Sequence, residues 1–461
     1  MKIAYVIHWN EGPRSGVFKK VVHQVSEWTR LGHRVALFLF TRAAGEHWER
    51  ALEGVEVRVQ CYDGALTRLR DFKRLADQVL GWGPDVIYHR YDQYYFGLPR
   101  ILRRVPSVLE VNSNDLTELR MESGSLSLKY LYHKYTRKRI LQAADGAVFV
   151  SQELSGEPGF SRYVKKQVVI GNGINLEEFL VSRSMTAVSE SCIEEPNESK
   201  EQLKESIQSQ AGSGLGAGLG ADRRAAVSSR SQADEPLGPT SAGVLVLEQT
   251  VDSESEQESL PNSLPNPVEP ASNPAEPLRS ISAEPVRFVF IGSSGQAWHG
   301  VDLIADLAAR RPAWKFDVIG LTIDELEGPV PANMSFHGPL TRAEYQPHLD
   351  QTDIALGTMA LFRKRMAEAS PLKVREYLAN GLPVIIAYEE TDFPEPVPFL
   401  LKLPNQPDSL ILHLGRIEEF ASRWRGSRVP RKEITRLDVK TKESERLKFM
   451  KSVIREKGDG R

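Results

Sequence analysis

The stretch Glu368–Val384, E-A-S-P-L-K-V-R-E-Y-L-A-N-G-L-P-V, constrains the fold more than any other. Ser370 suits a helix N-cap, because its side-chain oxygen can accept from an orphan amide. Pro371 suits the first helical position, where a missing N–H costs nothing. Val374, Tyr377 and Leu378 fall on one helical face, and Gly381 ends the helix, since glycine takes the left-handed conformation without strain. The segment therefore predicts a helix over 371–380 and a short buried strand over 383–386. Glu376 lies in the helix, Glu368 in the loop before it, and Lys373 in the first turn. Free amides and a partial positive charge at such an N-terminus make an anion site, most often for phosphate. The plain alternative is a surface helix with solvated glutamates.

The rest of the chain alternates strands with helices. Short apolar runs predict strands over 3–7, 34–40, 55–59, 85–88, 107–111 and 146–150, with helices over 17–31, 66–80 and 125–143 between them. A second series predicts strands over 286–291, 314–319, 333–337 and 354–356, with helices over 300–310 and 341–350 and two more in 408–457. Such alternation argues for parallel sheets covered on both faces, whose ligands bind beyond the carboxyl ends of the strands. Asn112 and Asp115 follow the strand ending at Val111 and are candidates on that rim; helix capping by Asn114 or Asp115 is the plainer reading. Gly16 closes a glycine-containing loop after the first strand. No G-x-G-x-x-G is present, which disfavours a dinucleotide site.

Between the two series, residues 182–284 contain no Phe, Trp or Tyr and are dense in Ser, Glu, Pro, Gly and Ala. Little apolar area is on offer there against a backbone ordering cost of about 1–2 kcal/mol per residue, so this segment reads as a disordered insert. The expected division is thus 1–181, 182–284 and 285–461. With 461 residues and a net charge of −2, the chain has room for such domains and lacks the basic excess of a nucleic-acid binder. Two cysteines, Cys61 and Cys192, make a structural disulfide improbable, and no apolar run is long enough to span a bilayer. The expectation is a cytoplasmic protein. The helix carrying K-Y-L-Y-H-K-Y-T-R-K-R, Lys129–Arg139, is basic and tyrosine-rich, suited to touching an anionic membrane face; a solvated basic face is the alternative.

The spacing E-x7-E followed by A-x-G-L-P-V resembles the signature of the family 4 retaining glycosyltransferases, which have the GT-B fold: two Rossmann-like, doubly wound domains facing a cleft. Gln167–Phe179, Q-V-V-I-G-N-G-I-N-L-E-E-F, resembles that family's crossover between domains, with Gly171 standing where the family has proline. The resemblance implies a hexosyltransferase-type enzyme moving a sugar from a nucleotide-diphosphate sugar to a glycan, lipid-linked or small-molecule acceptor, as in polysaccharide or glycoconjugate synthesis. By that likeness Glu368 would touch the donor sugar near its reacting carbon, Glu376 would bond the ribose, and amides around Ser370 and Leu372 would hold the diphosphate. Gly16 and the loop Gly292–Ser293 would face it, and the rim of Asn112 and Asp115 would reach the acceptor. No metal or other cofactor is expected.

One departure matters. Family members carry a basic residue shortly after the glycine of Gly292 and a lysine before the later glycine; here Ser293 or Ser294 and His299 stand there. Two charges in a cleft are worth several kcal/mol to a departing diphosphate. Lys373 is the best substitute, aided by Arg363, Lys364 or Arg365, and by His299 when protonated. The rival readings are a catalytically inactive GT-B scaffold and a sugar-nucleotide epimerase.

Overall fold

The computed structural model describes residues 1–13, 15–42, 48, 52, 54–179 and 284–459. The insert expected over 182–284 falls almost wholly outside them, as does Cys192; Cys61 is a free thiol.

The N-terminal sheet has seven strands: β1 (Lys2–His8), β2 (Arg34–Thr41), β3 (Glu56–Cys61), β4 (Val86–Arg90), β5 (Ser107–Val111), β6 (Gly146–Phe149) and β7 (Gln167–Val169). They pair in parallel in the order β3-β2-β1-β4-β5-β6-β7. Among the described residues, seven helices connect or cover them: α1 (Gly16–Arg30), α2 (Ala65–Trp82), α3 (Leu98–Arg104), α4 (Asp115–Ser123), α5 (Leu128–Leu141), α6 (Gln152–Gly156) and α7 (Pro158–Ser161). The continuous apolar run of β2 is explained by burial on both faces, with Phe38 and Leu39 in the cores on opposite sides of the sheet. The helix expected over 125–143 is the shorter α5. Before it, Asn114 caps the separate α4, accepting from Thr117 N–H at 3.1 Å; its weak amphipathicity hid it in the sequence.

The C-terminal sheet contains β8 (Arg287–Ile291), β9 (Lys315–Ile319), β10 (Met334–Phe336), β11 (Ile354–Leu356), β13 (Val384–Ile386) and β15 (Leu400–Lys402), in the order β10-β9-β8-β11-β13-β15. A two-stranded ribbon pairs β12 (Glu368–Ala369) with β14 (Glu389–Glu390). The helices here are α8 (Val301–Arg310), α9 (Arg342–Gln351), α10 (Leu372–Ala379), α11 (Ser409–Leu412), α12 (Leu414–Trp424) and α13 (Val439–Asp459).

In each sheet the strand order reverses beside its first strand, between β1 and β4 and between β8 and β11. Such a switch point leaves a crevice beyond the strand ends. These two crevices hold the site described below.

The chain changes domain earlier than residue 181. Ile174, Leu176 and Phe179 pack into the C-terminal core, and the crossing falls at Gly171–Gly173. Close approach explains both glycines. A Cβ on Gly173 would lie 3.1 Å from Val439 Cα, and one on Gly171 would lie 2.4 Å from an Asp392 carboxylate oxygen. The chain later returns: Leu447, Phe449, Met450 and Val453 of α13 join the N-terminal core beside Tyr5 and Trp28.

That docking depends on Gly146 in β6. A Cβ there would lie 2.9 Å from the Phe449 ring and 3.1 Å from Val453 Cγ2. Gly146→Val adds a good strand former, so any loss is steric. Overpacking should cost about 1–3 kcal/mol, read as a lower urea midpoint. An unchanged midpoint would show that α13 yields freely.

Candidate active site in the cleft between the two sheets

The two domains meet around a cavity of about 270 Å³. From the C-terminal side it is lined by Trp298, His299, Thr358, Lys364 and the run Glu368–Lys373; from the N-terminal side by Val17, Lys20, Arg90, Asn112 and Ser151, among others. A second cavity of about 310 Å³ opens on the N-terminal rim, with His8, Asp92, Asp115 and His133 in its wall. Arg90, Asn112, Ser113 and Glu118 line both. A ligand spanning both domains can therefore reach from one chamber into the other.

Of the residues singled out in the sequence, Glu368, Ser370, Leu372, Lys373, His299 and Asn112 line the first cavity, and Asn112 and Asp115 the second. Gly16, Gly292, Ser293 and Glu376 line neither. Gly16 opens α1 directly before Val17, with open space where its side chain would be. Gly292 is needed for packing, since a Cβ would sit 2.6 Å from the Phe290 ring and 3.0 Å from His299 Nδ1. Ser293 is exposed. Glu376 accepts a hydrogen bond from the Tyr345 hydroxyl of α9.

Two expectations are corrected. Ser370 does not cap the helix. α10 begins at Leu372 with Pro371, in extended conformation, as its cap residue. The Ser370 hydroxyl instead accepts from Asn172 N–H at 2.7 Å, and the Asn172 amide donates to the Ser370 carbonyl at 2.5 Å. A tie between domains has taken the side chain that local propensity assigned to capping. His299 also fails as a source of charge. Burial, with Lys373 and Lys364 nearby, lowers its pKa to about 2, so the ring is neutral.

Lys373 is different. Its Nζ is buried with no hydrogen-bond partner, 4.2 Å from the centre of the Phe290 ring. Burial pulls its pKa down to about 7. A buried ammonium without a counter-ion, facing a cleft, is a group waiting for an anion. The other basic candidates are engaged: Arg363 bonds both Asp302 oxygens, at 2.9 and 2.6 Å, and Lys364 donates to Glu118 across the cleft at 2.7 Å. Arg365 caps a 3-10 turn in left-handed conformation, φ 54°.

The N-terminal wall supplies cations that the sequence reading passed over. Lys20, on the inward face of α1, donates to Asn112 at 2.8 Å and lies 2.8 Å from Glu110 Oε1. Burial brings its pKa down to about 8 against the pull of Glu110. Arg90, at the end of β4, is 3.6 Å from Glu110. Burial would raise the Glu110 carboxyl, but Lys20, Arg446 and Arg90 hold it well below its ordinary value. Only the alternation of α1 distinguishes Lys20 from its solvent-facing neighbour Lys19.

Glu368 is clamped. Its carboxylate accepts from Glu153 N–H of α6 at 2.8 Å, while the Glu153 carboxylate accepts from the Ala367 and Glu368 amides, each at 2.8 Å. Asp115 is tied to Tyr91 at 2.8 Å, His133 at 2.6 Å and Arg137 at 2.9 Å. Its carboxyl, which burial would raise, is held down by His133 and Arg137, and with the Leu116 amide donating to Oδ1 at 2.9 Å both oxygens are engaged in organising α4 and α5. His8 is similarly occupied, with one ring nitrogen 2.6 Å from Asp92 and the other 2.6 Å from Tyr62.

Two parallel sheets meeting at their switch points around a basic cleft define the GT-B class. The comparisons agree: over residues 14–178 the chain matches the model of Glycosyltransferase Family 4. No curated protein matches the chain. Among solved structures, Anabaena HepE in complex with UDP and glucose is 14% identical, covers 98% of this chain and all of its own, and superposes with TM-score 0.53. Sucrose-phosphate synthase from Thermosynechococcus elongatus is 13% identical with TM-score 0.53, covering 99% of this chain and 97% of its own. A glycosyltransferase from Rickettsia africae is 11% identical with TM-score 0.52, covering 98% of both chains. These likenesses concern the fold.

Proposed function

We propose that the chain transfers a hexosyl group from a nucleotide-diphosphate sugar to an acceptor hydroxyl, with retention of anomeric configuration. The observation that carries this reading is the buried, unpartnered ammonium of Lys373 beside the first turn of α10, in a cleft with Lys20 and Arg90 opposite. Together these would neutralise the departing diphosphate and replace the basic pair missing after Gly292. Glu368 would position the donor sugar after exchanging its bond from the Glu153 amide for the sugar's hydroxyls. With Asp115 and His8 occupied, the acceptor proton would pass to the leaving phosphate oxygen, and no protein base is invoked. No metal or other cofactor enters this scheme. HepE holds UDP and glucose, which makes a uridine nucleotide the first to try.

The test is thermal unfolding with UDP, GDP and ADP. A nucleotide at a hundred times its Kd should add about 2.7 kcal/mol of stability. Glu376→Ala should lose that shift, since the family resemblance gives Glu376 the ribose, although in the ligand-free chain it lies outside both cavities and accepts from the Tyr345 hydroxyl. No shift with any nucleotide would favour the inactive scaffold, and turnover of a nucleotide sugar without acceptor would favour an epimerase.

The acceptor side faces α4 and α5. Leu126 and Leu128 are 88% and 87% exposed, next to Lys129, and no helix among the described residues is long and apolar enough to cross a membrane. Peripheral contact with an anionic bilayer on the inner face of the membrane, bringing a lipid-linked acceptor to the cleft, fits this edge. Vesicles containing phosphatidylserine should sediment the protein, and Leu126→Ser/Leu128→Ser should abolish that. Equal recovery of both proteins in the supernatant would remove the membrane from the scheme.

A further inference from the structure

The C-terminal domain carries a second cluster of chemically active side chains, separate from the cleft. Asp317 of β9 pairs in register with Ser335 of β10. His337, two residues further on, therefore points from the same face of the sheet. His337 Nε2 is 2.7 Å from Asp317 Oδ1. α9 brings His348 to the same oxygen, with Nδ1 at 3.7 Å. The two imidazole rings stand 4.3 Å apart between centroids. One ligand atom from each of the three residues lies within 4.8 Å of the others. None of the three lines either cleft cavity.

This arrangement lacks something as a plain ion pair. Only the His337 ring is in hydrogen-bond reach of the carboxylate, and 3.7 Å is too long for a hydrogen bond from His348. A divalent cation would satisfy all three groups, since neutral imidazole and carboxylate are its usual donors. Bonds of about 2.0–2.2 Å put tetrahedral ligands roughly 3.3 Å apart. The His337–Asp317 contact would open slightly and the His348 contact would close, which is side-chain movement only. Side-chain exposures of 15%, 25% and 31% for Asp317, His337 and His348 leave a path in and room for a water as fourth ligand.

We propose that Asp317, His337 and His348 bind a transition-metal dication of the zinc type, as a structural staple joining β9, the end of β10 and α9. This site stands independently of the transfer reaction. α9 also carries Tyr345, the partner of Glu376, so the staple would fix that helix against the sheet.

The test uses the full-length protein stripped with chelator, then titrated with Zn²⁺ against a chromophoric competitor and with Co²⁺ followed by visible absorption. The wild type should take up one tightly held ion with a tetrahedral Co²⁺ spectrum, and its Tm should rise. His348→Gln should lose that ion, the spectrum and the rise, while its metal-free Tm stays at the wild-type value, because no hydrogen bond of the ring is removed. His337→Asn should lose the same ion. Undiminished uptake in His348→Gln, or no saturable uptake by the wild type in the micromolar range, would overturn the proposal.

Discussion

Lys373→Met should lower kcat/KM for sugar transfer by about 10²–10³-fold, the loss expected when one preorganised charge facing a developing anion is removed, about 2.7–4 kcal/mol. The same substitution should stabilise the ligand-free protein at neutral pH. Burial lowers the Lys373 pKa from 10.5 to about 7, so the unfolded chain holds a proton that the folded one gives up. The wild type should therefore gain stability as pH rises from about 7 toward 10.5, and this part of the pH dependence should vanish in the variant. Binding of a nucleoside diphosphate should reverse the shift, and calorimetry in buffers of different ionisation enthalpy should show proton uptake near pH 8 in the wild type and less in Lys373→Met. A variant that keeps full activity would send the diphosphate elsewhere. Lys20, with its pKa near 8, would be the next cation to replace.

Arg375→Met should be the most damaging substitution for stability, at about 3–5 kcal/mol. The guanidinium is fully buried in α10, bonding Glu390 at 2.7 and 2.5 Å, Asp392 at 2.5 Å and the Asn172 carbonyl at 3.1 Å. Its loss leaves Glu390 buried without a counter-ion and Asp392 with Lys442 alone. Burial already raises the Glu390 carboxyl even with Arg375 present. Without it the folded-state pKa rises further, the folded variant binds a proton that the unfolded chain releases, and stability falls as pH increases from the acid range to neutrality. Denaturant midpoints measured at pH 5 and 7.5 should thus be farther apart for the variant than for the wild type, with the loss at the higher pH. Equal midpoints would mean that water reaches the two carboxylates.

What the sequence disclosed about this fold and site follows the range of the interactions involved. Alternating apolar runs placed β1–β6 and β8–β11, because burial on two faces leaves a continuous signal, while the two- and three-residue strands β7, β12, β14 and β15 are too short to leave one. The glycine at 381 and the strand after it were legible for the same local reason. Ser370 misled because an interdomain bond to Asn172 outcompeted helix capping, and no local pattern records a partner 198 residues away. Lys20 and Arg90 were passed over because nothing in α1 or β4 says which ends of these elements will face the other domain. Glu153 clamps Glu368 across a separation of 215 residues and was invisible in the same way. Nothing in the predicted strand over 333–337 or helix over 341–350 marks His337 and His348 as neighbours, because only the packing of β9, β10 and α9 brings them together.

The crossing at Gly171–Gly173 and the return into α13 run side by side. Ile174 N–H donates to the Leu437 carbonyl and Val439 N–H to the Ile174 carbonyl, both at 2.9 Å, while Arg446 grips the carbonyls of Ile170 and Gly171 at 3.3 and 3.1 Å. Two strands of chain bound together act as a single pivot. Such a tie would let the halves of the molecule swing about that line as a door swings on its pin, while opposing any sliding or twisting past one another. Across the gap the Glu153–Glu368 and Lys364–Glu118 contacts would then serve as the latch, and opening would be reduced to one coordinate, the angle of the door.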